Sequence, residues 1–314
     1  MTQGIPSRLN LVIAGAQLTA LALILAGAKH AAGFALFAWA IAFAFVMQSA
    51  HALLHEASHR KLHPNRRVND GVGFLLAAIF PTSFTFITAA HLSHHRVNRS
   101  DAELFDYIKA HEKPWQKIAG YYALIIGLLW AGQVFFSFGL SVTSRATTKR
   151  AYAALDKDGR RFFSFLLRLP RARIRVEVLG IVALWTLAIV LLDLDLRTIA
   201  ACYGAFIFSW ASQQQIYHSR APRHVVEGSY NLRLPLPLRW LYLNSNYHLT
   251  HHRRPKLPWV HLHRVGLMQG SYLSAYARLW LPPEPVARAT VYKVETSSAG
   301  AALSEIGSAP RSVT

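Results

Sequence analysis

The chain has almost no cysteine. Cys202 is the only one among 314 residues, which excludes an intramolecular disulfide and a cysteine-based metal site. Acidic residues are scarce too: 15 Asp and Glu stand against 34 Lys and Arg. Charge is missing altogether from two early stretches, Leu11–Ala28 and Ala31–Ala50. Each is close to the roughly 20 residues that cross a bilayer as a helix. Leu179–Leu192 and Leu196–Tyr217 form a second apolar pair, with Asp193 and Asp195 between them. No glycine fingerprint for a flavin and no cysteine cluster for an iron–sulfur centre is visible, so the chain carries no recognisable electron carrier of its own. No internal repeat of solenoid length is present either.

What remains is apolar and basic: 53% of residues are hydrophobic and the formal charge is +19. Such a charge fits either a nucleic-acid partner or a membrane protein with basic loops. Apart from Arg197 at the edge of the fourth, Lys and Arg are absent from the apolar runs and crowd the segments between them, which favours the membrane and predicts no nucleic-acid partner,. Arg8 before an apolar stretch ending in Ala26-Gly27-Ala28 resembles a cleavable leader. A second apolar run follows almost at once, and a helical hairpin turned at Lys29-His30 explains both. Asp193 to Arg197 turns the second hairpin.

Between the hairpins lie Gly71–Ala90, broken by Pro81, and Ile118–Val142, with Gly127, Gly132 and Gln133 inside it. From Ser144 to Arg175 the chain is strongly basic, including Arg145, Lys149, Arg150, Lys157, Arg160, Arg161 and Arg168. The positive-inside rule predicts that this loop is cytoplasmic. If the flanking histidines are cytoplasmic too, Ile118–Val142 cannot cross once. It is also too short to cross twice, which needs about forty helical residues. It is expected to dip in and return, or to lie in the interface, and so is Gly71–Ala90. Residues 1–281 read as one membrane domain, and 282–314, rich in Ala, Ser, Pro and Val, as a disordered tail.

The 16 histidines are clustered. One cluster is His51-Ala-Leu-Leu-His55-Glu-Ala-Ser-His59. Two others share one pattern, His91-Leu-Ser-His94-His95 and His248-Leu-Thr-His251-His252, and His218 stands alone after the fourth apolar run. Residues three and four apart share a helix face, so His55 and His59 project from one stripe and each H-x-x-H-H triad is expected to converge on one side. So many imidazoles exceed the four ligands of a structural zinc site and suit two metals. Imidazole accepts iron, copper, zinc and nickel alike. His30, His63, His111, His224, His261 and His263 lack the pattern and read as ordinary histidines.

The arrangement resembles the three histidine boxes of the membrane-bound fatty acid desaturase and hydroxylase family: His55-Glu-Ala-Ser-His59, His91-Leu-Ser-His94-His95 and His248-Leu-Thr-His251-His252. The resemblance runs from about Ala31 to Leu273. It implies an all-α integral membrane protein with four transmembrane helices in two hairpins, re-entrant or interfacial helices and a cytoplasmic histidine-rich cap. It implies two non-haem irons, an additional histidine ligand matched by His218, and a place in a bacterial inner membrane. Where related enzymes hold a metal-bound water with an Asn, this chain has Gln214. His51 extends the first box by one helical turn, as a further ligand or a neighbour. Imidazoles bound to a metal donate their other N–H to a carboxylate or carbonyl. Glu56, Asp70, Asp101, Glu103, Asn244 and Asn246 are near enough in sequence.

Side-chain acids and bases do not break an unactivated C–H bond, whereas iron with O₂ does. The expected reaction is O₂-dependent desaturation of a long acyl chain. It requires an external donor, a ferredoxin-like carrier with its reductase, and a lipid or acyl-carrier substrate. The basic loop 144–175 offers a place for an acidic carrier to dock. Hydroxylation, ketolation or acetylenation of another hydrocarbon, such as a carotenoid or alkane, uses the same machinery. A histidine-rich metal transporter is the reading from a different class, but it would put ionisable groups inside the membrane helices rather than just beyond them. A basic rim around the boxes (Arg60, Lys61, Arg66, Arg67, Arg96, Arg99, Arg220, Arg223, Arg253, Arg254 and Lys256) favours a substrate with an anionic end.

Overall fold

The computed structural model describes residues 4–286, and it is mostly helical. The order is α1 Ser7–Ala28, α2 Gly33–Ser58, α3 Arg66–Ile79, α4 Phe84–Val97, α5 Pro114–Ala123, α6 Leu129–Val142, α7 Arg145–Ala153, α8 Lys157–Phe163, α9 Arg171–Leu192, α10 Leu196–Ile216, and four short helices, α11 Leu236–Leu241, α12 His248–Arg253, α13 Trp259–Leu262 and α14 Tyr272–Leu279. A single π-helical stretch, Leu124–Leu128, joins α5 to α6. α2 and α10 form the central pair, with α1 on α2. Phe43, Met47, Leu53, Leu54, Phe206 and Trp210 are fully buried along that seam.

Among the described residues, four helical stretches are long and apolar enough to cross a membrane: Ser7–Ala28, Gly33–Ser58, Pro114–Val142 and Arg171–Leu192. Three match the expectation. The fourth differs by composition: Pro114–Val142 qualifies and α10 does not, because α10 ends in Ser209, Ser212 and Gln213 to Gln215. Apolar side chains point outward along these helices, among them Val12, Phe34, Phe135, Val176, Leu179 and Val190. A surface that apolar suits lipid rather than water.

The turns fix which ends lie together. Lys29 pairs with Asp193 at 3.5 Å, and Arg197 donates to the Lys29 carbonyl, so the α1–α2 and α9–α10 turns share one end. At the other end the Asn10 amide donates to the carbonyls of Lys61 and Leu62. The Trp259 indole donates to Asn10 Oδ1.

α3 and α4 meet at 93° across Phe80–Ser83. Pro81 cannot continue a helix, and Ser83 caps α4 by accepting from Phe86 N–H. Carbonyls at the end of α3 lack helical partners. Trp185 on α9 donates to the Ala78 carbonyl and Tyr203 on α10 to that of Ile79. The α4 start is tied to buried Glu177 of α9, which accepts from the Ser83 and Thr85 hydroxyls and from Thr85 N–H and pairs with Arg173. Between α5 and α6, Gly127 has φ 151°, a conformation closed to ordinary side chains, and its α-carbon faces Ile207.

Of the stretch expected as a tail, residues 282–286 are described. Glu284–Pro285 pairs in parallel with Tyr107–Ile108, and Arg220 bonds Glu284. Two backbone pairings and an ion pair outweigh the weak local pattern there. The rest of that expected tail, 287–314, lies outside the described residues.

Buried Glu177 gathers three donors from Ser83 and Thr85 together with the exposed Arg173 guanidinium, and its loss leaves the three donors short of a partner. Glu177→Ala is expected to cost about 3 kcal/mol, read as a lowered midpoint of heat- or detergent-induced unfolding. An unchanged midpoint contradicts this role.

Candidate metal centre

Nine histidines from four segments meet at one end of the α2–α10 pair. They form two groups. His55, His59, His91, His95 and His251 make the first; His94, His218, His248 and His252 make the second. Within each group the ligand atoms lie within 4.8 Å of one another. The groups adjoin: the rings of His95 and His252 are 4.3 Å apart.

The split corrects the expectation that each triad converges on one side. Successive residues on a helix point about 100° apart. In α4, His91 and His95 share a stripe and serve the first group while His94 turns to the second. In α12, His248 and His252 serve the second and His251 turns to the first. The adjacent histidines of each box thus divide between two positions.

The geometry fits metal ions. Nε2 of His91 lies 2.7 Å from Nε2 of His59 and 3.1 Å from that of His95, which is 3.0 Å from Nε2 of His251. In the second group, Nε2 of His248 lies 2.8 Å from that of His218 and 3.2 Å from that of His252. His218 Nδ1 meets the Gly228 carbonyl at 2.9 Å. A carbonyl only accepts, so Nδ1 holds the proton and Nε2 presents a lone pair. His94 Nδ1 likewise faces both oxygens of Glu103, at 2.8 and 2.9 Å. His55 Nε2 is buried without a hydrogen-bond partner. Burial, and then neighbouring imidazoles, hold His218, His248, His251 and His252 well below the ordinary value of 6.5. The rings are therefore neutral at pH 7, the state that binds a cation.

Buried polar groups aim these side chains. The Asn98 amide donates to the carbonyls of Val225 and Gly228, setting the acceptor for His218. Asp106 accepts from the Arg99 guanidinium and from Arg220 N–H, joining the chain after the second box to the chain after His218. Asn231 holds α12, donating to Thr250 Oγ1 and accepting from Thr250 N–H. Among the described residues six non-glycine residues have φ near +50°. Five of them (Arg60, Arg99, Arg220, Leu243 and Asn244) stand within a few residues of the histidines, where such strain concentrates at functional sites.

Glu56 is buried beside His55, its Oε1 3.9 Å from Nδ1. Asp101 instead lies outside and pairs with Arg223; the carboxylate behind His94 is Glu103, brought inward by the short turn Asp101–Glu103. Asp70 pairs with Arg173 and Arg66. Asn244 and Asn246 donate to the carbonyls of Trp259 and Leu232, and so brace the loop rather than a ring. His51 lies outside both groups, packed against Phe80 and Trp210. None of His30, His63, His111, His224, His261 and His263 joins either group. Asn98, Asp106, Asn231 and Gly228 carry no spacing signal that the sequence reading could have used. Of the expected basic rim, Arg99, Arg220, Arg223 and Arg253 are engaged by Asp106, Glu284, Asp101 and Glu227. Arg60, Arg67, Arg254 and Lys256 are exposed.

Two cavities reach the histidines. The larger, about 150 Å³, is lined by His55, His91, His94, His218 and His248, with Leu54, Ile87, Ala90, Phe105 and Leu129. The smaller, about 50 Å³, has Gln48, Gln213, Tyr217 and Ser245 in its wall. Gln214 and His51 touch both.

Residues 30–281 match the family model described as fatty acid desaturase. A search of curated proteins gives no match. The two histidine groups fit that family's histidine-box di-metal site.

Two outcomes are expected. Removing the carboxylate behind His94 with Glu103→Ala weakens metal at the second group by about ten- to a hundredfold, measured by titration against a chelator. Equal affinity contradicts the pairing. The second outcome concerns acid. Below pH 6.5 the unfolded chain takes up protons at His218, His248, His251 and His252 that the folded chain refuses. Stability is then full above 6.5 and lost as pH falls below it. The metal-free protein should melt progressively lower from about pH 7.5 to about 5.5; a flat profile contradicts the burial of neutral rings.

Proposed function

The chain belongs to the fatty acid desaturase family, and on that premise we propose that it is an integral-membrane oxidoreductase that desaturates a long acyl chain with two irons and O₂. Membership supports a desaturase- or hydroxylase-type reaction. The observation that carries the reading is the pair of adjacent histidine groups, five and four rings, opening on one cavity.

Two irons with O₂ supply the oxidising power that an unactivated C–H bond demands. The protein's part is positional. The nine rings are held in place, with Glu103 meeting Nδ1 of His94 and the Gly228 carbonyl meeting Nδ1 of His218. Leu54, Ile87, Ala90 and Leu129 give a methylene an apolar seat beside the rings and exclude water,. Desaturation removes two hydrogens from the chain and reduces O₂ to water, so two further electrons must arrive from an external carrier. The basic segment Arg145–Arg168 is a docking place for an acidic one.

The membrane arrangement follows the same logic. The turns at Lys29 and Asp193 share the end away from the histidines. Ile79 and Trp130 both reach Tyr203, in mid-α10, while Lys117 and Leu140 are held at the histidine end by the Leu104 carbonyl and Arg171. We read 66–97 and 114–142 as segments that enter and return, leaving α1, α2, α9 and α10 as the spans. The histidines and the basic loop then lie in the cytoplasm.

The reaction is tested by expressing the chain in cells and analysing their lipids by mass spectrometry. Acyl chains short of two hydrogens are expected, absent with His94→Ala or His251→Ala. Added oxygen in place of lost hydrogen points to hydroxylation, and full turnover in either variant contradicts the ligand set. For topology, Ser164→Cys in a Cys202→Ala background should label only from the cytoplasm; labelling from outside breaks the arrangement.

A further inference from the structure

The larger cavity has a polar lining that an unsubstituted hydrocarbon does not need. Beside its apolar wall stand His51, Gln133, Trp210, Gln214 and Gln215. Oε1 of Gln133 and Nε1 of Trp210 are buried and make no hydrogen bond. Trp210 is 1% exposed, and its ring meets that of His51 edge-on at 5.3 Å. Gln133 is the one amide side chain in α6, a helix otherwise of apolar and small residues. An unpartnered polar atom in such surroundings is costly unless a bound molecule completes it.

The two atoms have complementary demands. An indole N–H only donates and an amide oxygen only accepts. A group that accepts from one and donates to the other is a hydroxyl. The cavity, about 150 Å³, has room for such a group together with a few carbons, since one water needs only about 15 Å³. His91, His94 and His248 form the wall of that same cavity, so a group held there lies close to the carbon that reacts.

We propose that the substrate chain bears a hydroxyl near its reacting carbon, accepting from Trp210 and donating to Gln133. The proposal rests on the acyl-chain reading above and narrows it to an oxygenated chain. It makes Gln133 and Trp210 residues that determine specificity, apart from the metal ligands.

The test is equilibrium binding to the full iron-loaded chain in lipid nanodiscs. The probes are stearic acid and a positional set of monohydroxystearic acids. At least one hydroxy isomer should bind about tenfold tighter than stearic acid. Gln133→Leu and Trp210→Phe should each abolish most of that preference while binding stearic acid as well as before, which also shows that each variant is folded. Should Trp210→Phe fail to fold, Gln133→Leu alone decides. If no isomer binds better than stearic acid, the polar lining holds water and the proposal falls while the acyl reading stands. A preference that survives in both variants overturns the proposal too. If no acid of either kind binds or is converted, the acyl reading fails and takes the proposal with it.

Discussion

Nine imidazoles packed together present converging ring nitrogens, an arrangement that positive charge stabilises. Protonating the rings would supply charge, but burial and mutual repulsion oppose that. Metal ions supply it without protons. The rest of the fold answers to this need. α2 and α4 bring the first two boxes, α10 ends two residues before His218, and α12 is a single short helix whose content is almost entirely the third box.

A cluster assembled from four distant segments must be held by something other than sequence proximity. Buried polar tethers do this. Asp106 joins Arg99 to Arg220, Asn98 sets the Gly228 carbonyl, and Asn231 clasps Thr250 between His248 and His251. Each is satisfied on several sides, which is the condition for a buried polar group to be stabilising. At Arg99 and Arg220 the contacts to Asp106 also offset the left-handed backbone beside the histidines. On the membrane side the constraint is different: the apolar helices present side chains outward, and their packing is supplemented by single polar contacts such as Trp185 to Ala78 and Tyr203 to Ile79,. The precision resides at the polar end.

The histidines were legible because a metal site on helices leaves a period in the sequence. Spacing singles out eight of the nine histidines in the two groups, and the family resemblance adds His218. The division into five and four was less visible, since it depends on how α4 and α12 rotate against α2. Proximity offers both Asp101 and Glu103 and does not choose between them; a short turn brings Glu103 to His94. Such a turn has no periodic signature. Hydropathy identified the apolar segments. It could not rank α10, whose glutamines face cavities, below Pro114–Val142, whose apolar surface surrounds a kink at Gly127. Nor does local sequence announce the parallel pairing of Glu284–Pro285 with Tyr107–Ile108, which is made from a distance.

The central claim is that this cluster holds two metal ions. Its most direct test is the metal-to-protein ratio of the iron-reconstituted chain, with Mössbauer spectra on the same sample. Two irons per chain in nitrogen-rich surroundings are expected, falling towards one when His218 and His252 are both replaced by alanine. A ratio of one or less in the unaltered chain, or two irons retained by that double variant, would contradict the account.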